Sequence, residues 1–198
     1  SGYLKVVRTK FTSETGRREY CLRLTNREVL FMFQAMIHDW FTQTGDDYND
    51  FVKALLSGDV DAMNEYMNRV AETIFSSFDT GKKPSKSESE RFYHGFVLGL
   101  MVDLTGRYIL TSNRESGFGR YDVMLEPVKL EKDDGIILEF KVFQLKKEKN
   151  LEDTVEAALK QIEDRKYETA LISRGIPKER IYKYGFAFQG KEVLIGEG

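Results

Sequence analysis

A single cysteine, Cys21, stands among 198 residues, so no internal disulfide can brace this chain. That scarcity suits a reducing compartment, and the expectation is a cytoplasmic protein in which Cys21 is a small packed side chain rather than a nucleophile. Only three prolines are present, which argues against disorder, and hydrophobic residues at 41% with aromatics at 13% are ample for a core. No apolar run reaches the ~18 residues a membrane-spanning helix requires, and no basic-then-apolar leader is found. A membrane partner is therefore not expected. A strong charge of one sign is missing too, since the formal net charge is −2. Any contact with phosphates must use a local patch or a bound metal ion rather than bulk charge. The balance hides an uneven distribution. Residues 1–28 hold seven Lys and Arg against three Asp and Glu, residues 43–79 hold two against eight, and residues 80–198 hold 21 against 20.

The length fits one large domain, or one domain with an appendage. Leu4–Thr9 and Arg18–Leu24 are β-like runs around a polar Thr12–Gly16 turn, which predicts an opening hairpin. Thr25-Asn-Arg-Glu28 reads as a capping box that starts a helix with Val29, Phe33, Met36, Ile37 and Trp40 as its apolar stripe. Two further helices are expected over Asp47–Leu56 and, after a break at Gly58-Asp59, to about Phe78, the latter with Met63, Met67, Val70 and Ile74 inward. His38 and this methionine stripe read as packing. Residues 79–87 form a polar linker without one apolar residue, dividing an N-terminal region, 1–78, from a second domain, 88–198.

The second region predicts a helix over Glu88–Thr105, a strand at Tyr108–Thr111, a loop over Asn113–Gly119, and strands at Arg120–Leu125 and Ile136–Phe143. Pro127 argues against a central strand beyond it. A helix follows at Thr154–Lys166, then a short one near Tyr167–Ser173 that ends at Gly175, and a closing hairpin of Tyr182–Phe188 and Glu192–Ile195. This order, helix, three strands, helix, strands, predicts an α/β domain with a mixed sheet and helices on its faces.

One juxtaposition carries chemistry. Side chains alternate along a strand, so Glu139 and Lys141 leave the same face about 7 Å apart while Ile136, Leu138, Phe140 and Val142 enter the core. On the preceding strand Tyr121, Val123 and Leu125 share a face, leaving Asp122 on the other. Antiparallel pairing would bring Asp122 within a residue or two of Glu139. Two carboxylates about 4 Å apart at an effective dielectric near 20 repel by roughly 4 kcal/mol, a cost that a divalent cation removes. Asp122 and Glu139 are therefore candidate ligands for Mg²⁺ or Mn²⁺, with the Phe140 carbonyl a third. Lys141 would orient a water or a phosphate, or act as general base. Phosphodiester hydrolysis is the chemistry that needs this set. Asp164-Arg-Lys166 also matches acid-X-Lys but lies at a charged helix end, and an edge strand bearing a cross-strand ion pair would explain the main motif without catalysis.

Taken together, Phe92-Tyr-His-Gly-Phe96, Ser112–Asp122, Glu139-Phe-Lys141 and Ala157–Ile162 resemble the PD-(D/E)XK nuclease superfamily, and more narrowly its branch C-terminal to an AAA-ATPase-like domain in gut bacteria. Ser1-Gly-Tyr-Leu4 and Asn26-Arg-Glu-Val29 are similar to the segment joining those domains, and residues 43–79 are the least diagnostic part. The resemblance implies a restriction-endonuclease-like core, a Mg²⁺-dependent endonuclease acting on DNA, and an ATPase-like domain upstream in the same polypeptide. No Walker loop is present to give this piece ATPase activity. Residue by residue, Asp122 matches the strand aspartate and Glu139 with Lys141 the (D/E)-X-K pair. Tyr121 replaces the usual but dispensable proline. The first-helix carboxylate falls on Glu90, with His94 one turn later, although Ser87–Glu90 also reads as a capping box. Gln161 fits a helix glutamine that faces the metal centre in several branches, or an ordinary rim residue. Arg114, Arg120, His94 and the lysines Lys146, Lys147 and Lys149 are candidate phosphate contacts, with salt bridges to Glu115 and Glu126 the alternative for the arginines. Tyr121 and Tyr167 could stack on bases. A homo-oligomer is compatible with the sequence. The alternative function is a catalytically silent module of the same fold that binds proteins or nucleic acid.

Overall fold

The computed structural model describes residues 2–12, 17–32, 35, 50–74, 86–116 and 119–198. Phe33, Met36, Ile37, His38 and Trp40, the turn at 13–16 and all of the 79–87 linker but Lys86 and Ser87 lie outside these residues. Contacts divide the chain into two units, Ser1–Gln43 and Thr44–Gly198.

In the first unit β1 (Leu4–Thr12) and β2 (Arg17–Leu24) form the expected antiparallel hairpin, with β1 three residues longer than read from sequence. Thr25 does not cap the following helix. Its amide and hydroxyl both bond back to Tyr3, and the hydroxyl also donates to the Gly2 carbonyl, closing the hairpin base. Asn26 takes the capping role, its Oδ1 accepting the Val29 amide at 2.8 Å, and helix α1 is described over 27–32. Cys21 lies on β2 opposite Arg8.

The second unit is built on a five-stranded sheet of β3 (Tyr108–Ser116), β4 (Gly119–Pro127), β5 (Gly135–Val142), β6 (Ile181–Gln189) and β7 (Glu192–Glu197), neighbours in that order. Only β5 and β6 pair in parallel, and the crossover between them carries helix α5 (Leu151–Asp164) and the short α6 (Thr169–Ile172). The mixed α/β sheet is as expected. Residues 113–116, read as loop for their polarity, are strand because β4 pairs with them to Ser116↔Gly119. The passage from β4 to β5 is no tight turn. Arg180 bonds to the Asp134 carboxylate and to the Leu130 and Asp133 carbonyls, while Arg107 grips the buried Asp133 carboxylate.

Both faces of the sheet are covered, so β5 is buried from Gly135 to Phe140 instead of alternating. One face meets α2 (Asp50–Ser57), α3 (Val60–Ile74) and α4 (Lys86–Leu100) through rings: Phe186 packs on Phe51 and Phe140, and Phe188 stacks on Tyr93 with centroids 4.0 Å apart. The other meets α5 and α6 around Met124, Ile137, Ile162, Tyr167 and Leu171. Helix α4 begins at Lys86, which leaves Ser87 inside it rather than at the cap. Helices α2 and α3 fall in the same unit as the sheet, so the contacts part the chain earlier than the polar linker does.

Two asparagines one helical turn apart on α3 explain that attachment. Asn64 accepts the Ile195 amide at 2.8 Å and donates to the Ile195 carbonyl at 2.9 Å, and Asn68 does the same with Val193 at 3.0 and 2.7 Å. Each carboxamide copies the donor and acceptor of a neighbouring strand and closes the open edge of β7. Asn64→Ala and Asn68→Ala should each cost about 1–3 kcal/mol by stranding buried edge groups. Urea unfolding checks this, and a loss below ~0.5 kcal/mol for both would contradict it.

Burial, reinforced by Asp133, pushes the Tyr108 hydroxyl up to about 12, and burial also raises Tyr93 and Tyr184. Such phenols stay neutral in the fold but ionise near pH ~10 in the unfolded chain. Their contribution is therefore complete below about pH 10 and is lost as pH rises toward 12. Unfolding free energy should fall through that window by up to about 1.4 kcal/mol per pH unit for each such tyrosine. Tyr108→Phe should shallow the fall; an unchanged slope would contradict the assignment.

Candidate active site

The β4–β5 ladder runs from Leu125↔Ile136 to Val123↔Leu138, and Asp122 and Glu139 are the next residues along. Alternation puts Asp122 on the face of Met124 and Glu139 on the face of Ile137, and those two neighbours share one core cluster. Both carboxylates thus lie on the α5 side. Where the ladder bonds stop, the Phe140 amide donates to Asp122 Oδ2 at 2.8 Å, fixing that carboxylate against β5. A residue's N–H and C=O leave a strand on the same edge, so the Phe140 carbonyl also faces β4.

Glu139 is only 3% exposed, and burying a carboxylate costs several kcal/mol unless partners are provided. Gln161 provides one. Its Nε2 donates to Glu139 Oε1 and, at 3.3 Å, to the Tyr167 hydroxyl, while its Oε1 accepts from Lys141 Nζ at 2.7 Å. One carboxamide therefore links the acid and the amine of the Glu-X-Lys pair, using its donor end for the carboxylate and its acceptor end for the ammonium.

Helix α5 delivers that side chain. Asn150 caps it, accepting the Asp153 amide, which starts the helix three residues before the predicted Thr154. Val155, Ala158 and Ile162 are buried on the sheet side. At its end Lys166 adopts φ 52, a left-handed conformation that costs a residue other than glycine about 1–2 kcal/mol, and the Tyr167 amide returns to the Ile162 carbonyl at 3.2 Å. This reversal brings the Tyr167 hydroxyl beneath Gln161. Burial, and after it the negative charges of Glu139 and Asp122, push that hydroxyl above its usual range, against the Gln161 bond, which lowers it. Both carboxylates thus act on one atom.

The structure gathers Asp122, Glu139, Lys141 and Gln161 on the α5 side of the sheet. Glu90 lies on α4, but its side chain is outside the described residues. His94, on the same helix, packs its ring 5.5 Å from Phe140 on the opposite face of the sheet and is not brought to the carboxylates. Arg114 and Arg120 sit on β3 and β4, paired with Tyr121 and Glu115, and their side chains also lie outside the description. Glu126, an alternative partner for them, bonds to Arg174 at 2.9 Å. Lys146, Lys147 and Lys149 are exposed on the loop that follows β5. Tyr167 is 1% exposed and offers no ring face to a base. Its hydroxyl was missed from sequence; the available signal was an aromatic just beyond the end of the Gln161 helix. Among the described residues no three His, Cys, Asp or Glu form a metal-holding group.

A family model described as the PD-(D/E)XK nuclease superfamily matches residues 88–198, more than half of the chain. No curated protein and no solved structure matches.

Proposed function

This chain belongs to the PD-(D/E)XK nuclease superfamily, and on that premise we propose that it hydrolyses phosphodiester bonds of DNA with the help of Mg²⁺ or Mn²⁺. The observation that carries the reading is the buried Glu139, joined through Gln161 to Lys141, on the same face as Asp122 where β4–β5 pairing ends.

The residues present fit a hard divalent cation. Mg²⁺ takes one or two carboxylates and fills its remaining positions with water and phosphate oxygens, so Asp122, Glu139 and the Phe140 carbonyl suffice, with Glu90 a further ligand in this proposal. Bound there, the ion would acidify a water and offset charge at the phosphate. Asp122 is held by the Phe140 amide and Glu139 by Gln161, which limits the freedom either carboxylate would lose on binding. Lys141, anchored on Gln161, holds its positive charge beside them and orients the attacking water or the scissile phosphate. Arg114 and Arg120 are assigned to flanking phosphates. The likeness of Ser1–Leu4 and Asn26–Val29 to an inter-domain segment supports a nuclease that works beside an AAA-ATPase-like domain.

Supercoiled plasmid and RNA of similar length, incubated with the protein in Mg²⁺, in Mn²⁺ and in EDTA, test the reading. Metal-dependent nicking or linearisation of the plasmid, with the RNA intact, is expected. Cleavage that persists in EDTA, or none with either metal, would contradict it.

A further inference from the structure

The β1–β2 hairpin is a ribbon with two unlike faces, and one irregularity makes it so. Lys5↔Arg23 and Val6↔Leu22 are followed by Arg8↔Cys21, so Val7 is an extra residue in β1. Without it, Arg8 would continue the face of Leu4 and Val6. With it, Arg8 joins Lys5 and Arg23 on one face, at whose far end the register also places the Lys10↔Glu19 pair, while Leu4, Val6, Phe11, Tyr20 and Leu22 take the other. The Arg18 guanidinium lying 5.9 Å from the Phe11 ring centroid fits this register. Lys5, Arg8 and Arg23 are all exposed.

The cationic face borders an open cleft of about 450 Å³, lined by Lys5, Arg23, Thr25, Asn26 and Arg27 over a floor of Leu24 and Leu30, with no Asp or Glu. Three cations around one cleft repel one another until an anion enters. Arginine forks match phosphate oxygens, and threonine and asparagine add neutral polar groups. Arg8 continues the positive row along the strand, beyond what one small anion would reach. A polyanion is the ligand that uses the whole row.

We propose that this face of the hairpin is a phosphate-backbone clamp for nucleic acid, carried on a different unit of the chain from the catalytic carboxylates. It deepens the nuclease reading, on which it rests for the class of partner, and it accounts for the positive charge concentrated in residues 1–28. The clamp grips backbone phosphates, so binding should be strongly salt-dependent and indifferent to base sequence.

The test is fluorescence anisotropy of a short labelled DNA duplex with the full chain in EDTA, where cleavage is off, over a series of salt concentrations. Lys5→Gln/Arg23→Gln/Arg27→Gln should raise the Kd by about tenfold or more and shallow the log–log salt slope by roughly 0.9 for each phosphate no longer neutralised. Lys129→Gln/Lys132→Gln/Lys178→Gln removes the same charge from exposed positions elsewhere and should bind like wild type. Circular dichroism confirms that both variants fold. No binding by wild type, an unchanged hairpin variant, or an equal loss in the charge-matched variant would overturn the clamp. Displacement of the duplex by low millimolar inorganic phosphate at constant ionic strength would overturn it in favour of a small-anion site. A wild type that binds through the hairpin but cleaves nothing would leave this inference standing and remove only the catalytic one.

Discussion

Asp122→Asn should leave the fold intact and lower metal-dependent cleavage by about 10³-fold or more. The asparagine retains an oxygen acceptor for the Phe140 amide, a bond of 2.8 Å in the native protein, so the local geometry survives while the charge is removed. On the proposed mechanism, losing one anionic ligand to a cation that stabilises a charged transition state would withdraw about 4 kcal/mol, or about 10³ in rate. Asp122→Ala removes the acceptor as well and should cost a further 1–3 kcal/mol of stability, roughly the penalty of an unsatisfied amide. Plasmid-nicking rates and urea unfolding on both variants separate the roles. An asparagine variant within tenfold of the wild-type rate would remove Asp122 from the catalytic set.

Gly185→Val should weaken fold and site together. Gly185 pairs with Glu139 on one side and with Gly196 on the other, and both glycines lie under α5. A Cβ at Gly185 would sit 2.9 Å from the Val155 carbonyl and 3.1 Å from Ala158 Cβ, and one at Gly196 would sit 2.6 Å from Val155 Cγ1. These missing side chains form the groove that lets α5 lie close on the sheet, which is what brings Gln161 within hydrogen-bonding distance of Lys141. Backbone cannot yield as a flexible side chain does, so valine should lift the helix at a cost of about 3 kcal/mol. Cleavage should fall more than the folded fraction does, because Gln161 withdraws from Glu139 and Lys141. Chemical unfolding and cleavage rates, each corrected for folded protein, provide the check. A variant with native stability and rate would contradict the groove.

Strand alternation made Asp122, Glu139 and Lys141 legible, because an acid or amine inside an apolar strand is conspicuous and period two assigns its face. Gln161 was reached through the family resemblance; its own neighbourhood fits a rim residue equally well. The glycine groove was not legible, since Gly185 and Gly196 meet only through β6–β7 register. Asn64 and Asn68 read as the polar side of a methionine-striped helix, and nothing local marks them as partners of β7. The polar residues 113–116 lack strand propensity, yet pairing with β4 overrides it. The burial of Glu139 was not legible either, because it comes from helices that cover both faces of the sheet, a fact of tertiary packing that no single strand encodes.

The most direct test of the divalent-cation site proposed at Asp122 and Glu139 is calorimetric titration of Mn²⁺ into wild type, Asp122→Asn and Glu139→Gln. Glutamine at 139 keeps an oxygen for Gln161, so the comparison isolates the charge. Saturable binding in wild type, weakened at least about tenfold in each variant, is the expected result. Absence of saturable binding in wild type, or equal affinity in all three proteins, would contradict the metal-dependent site.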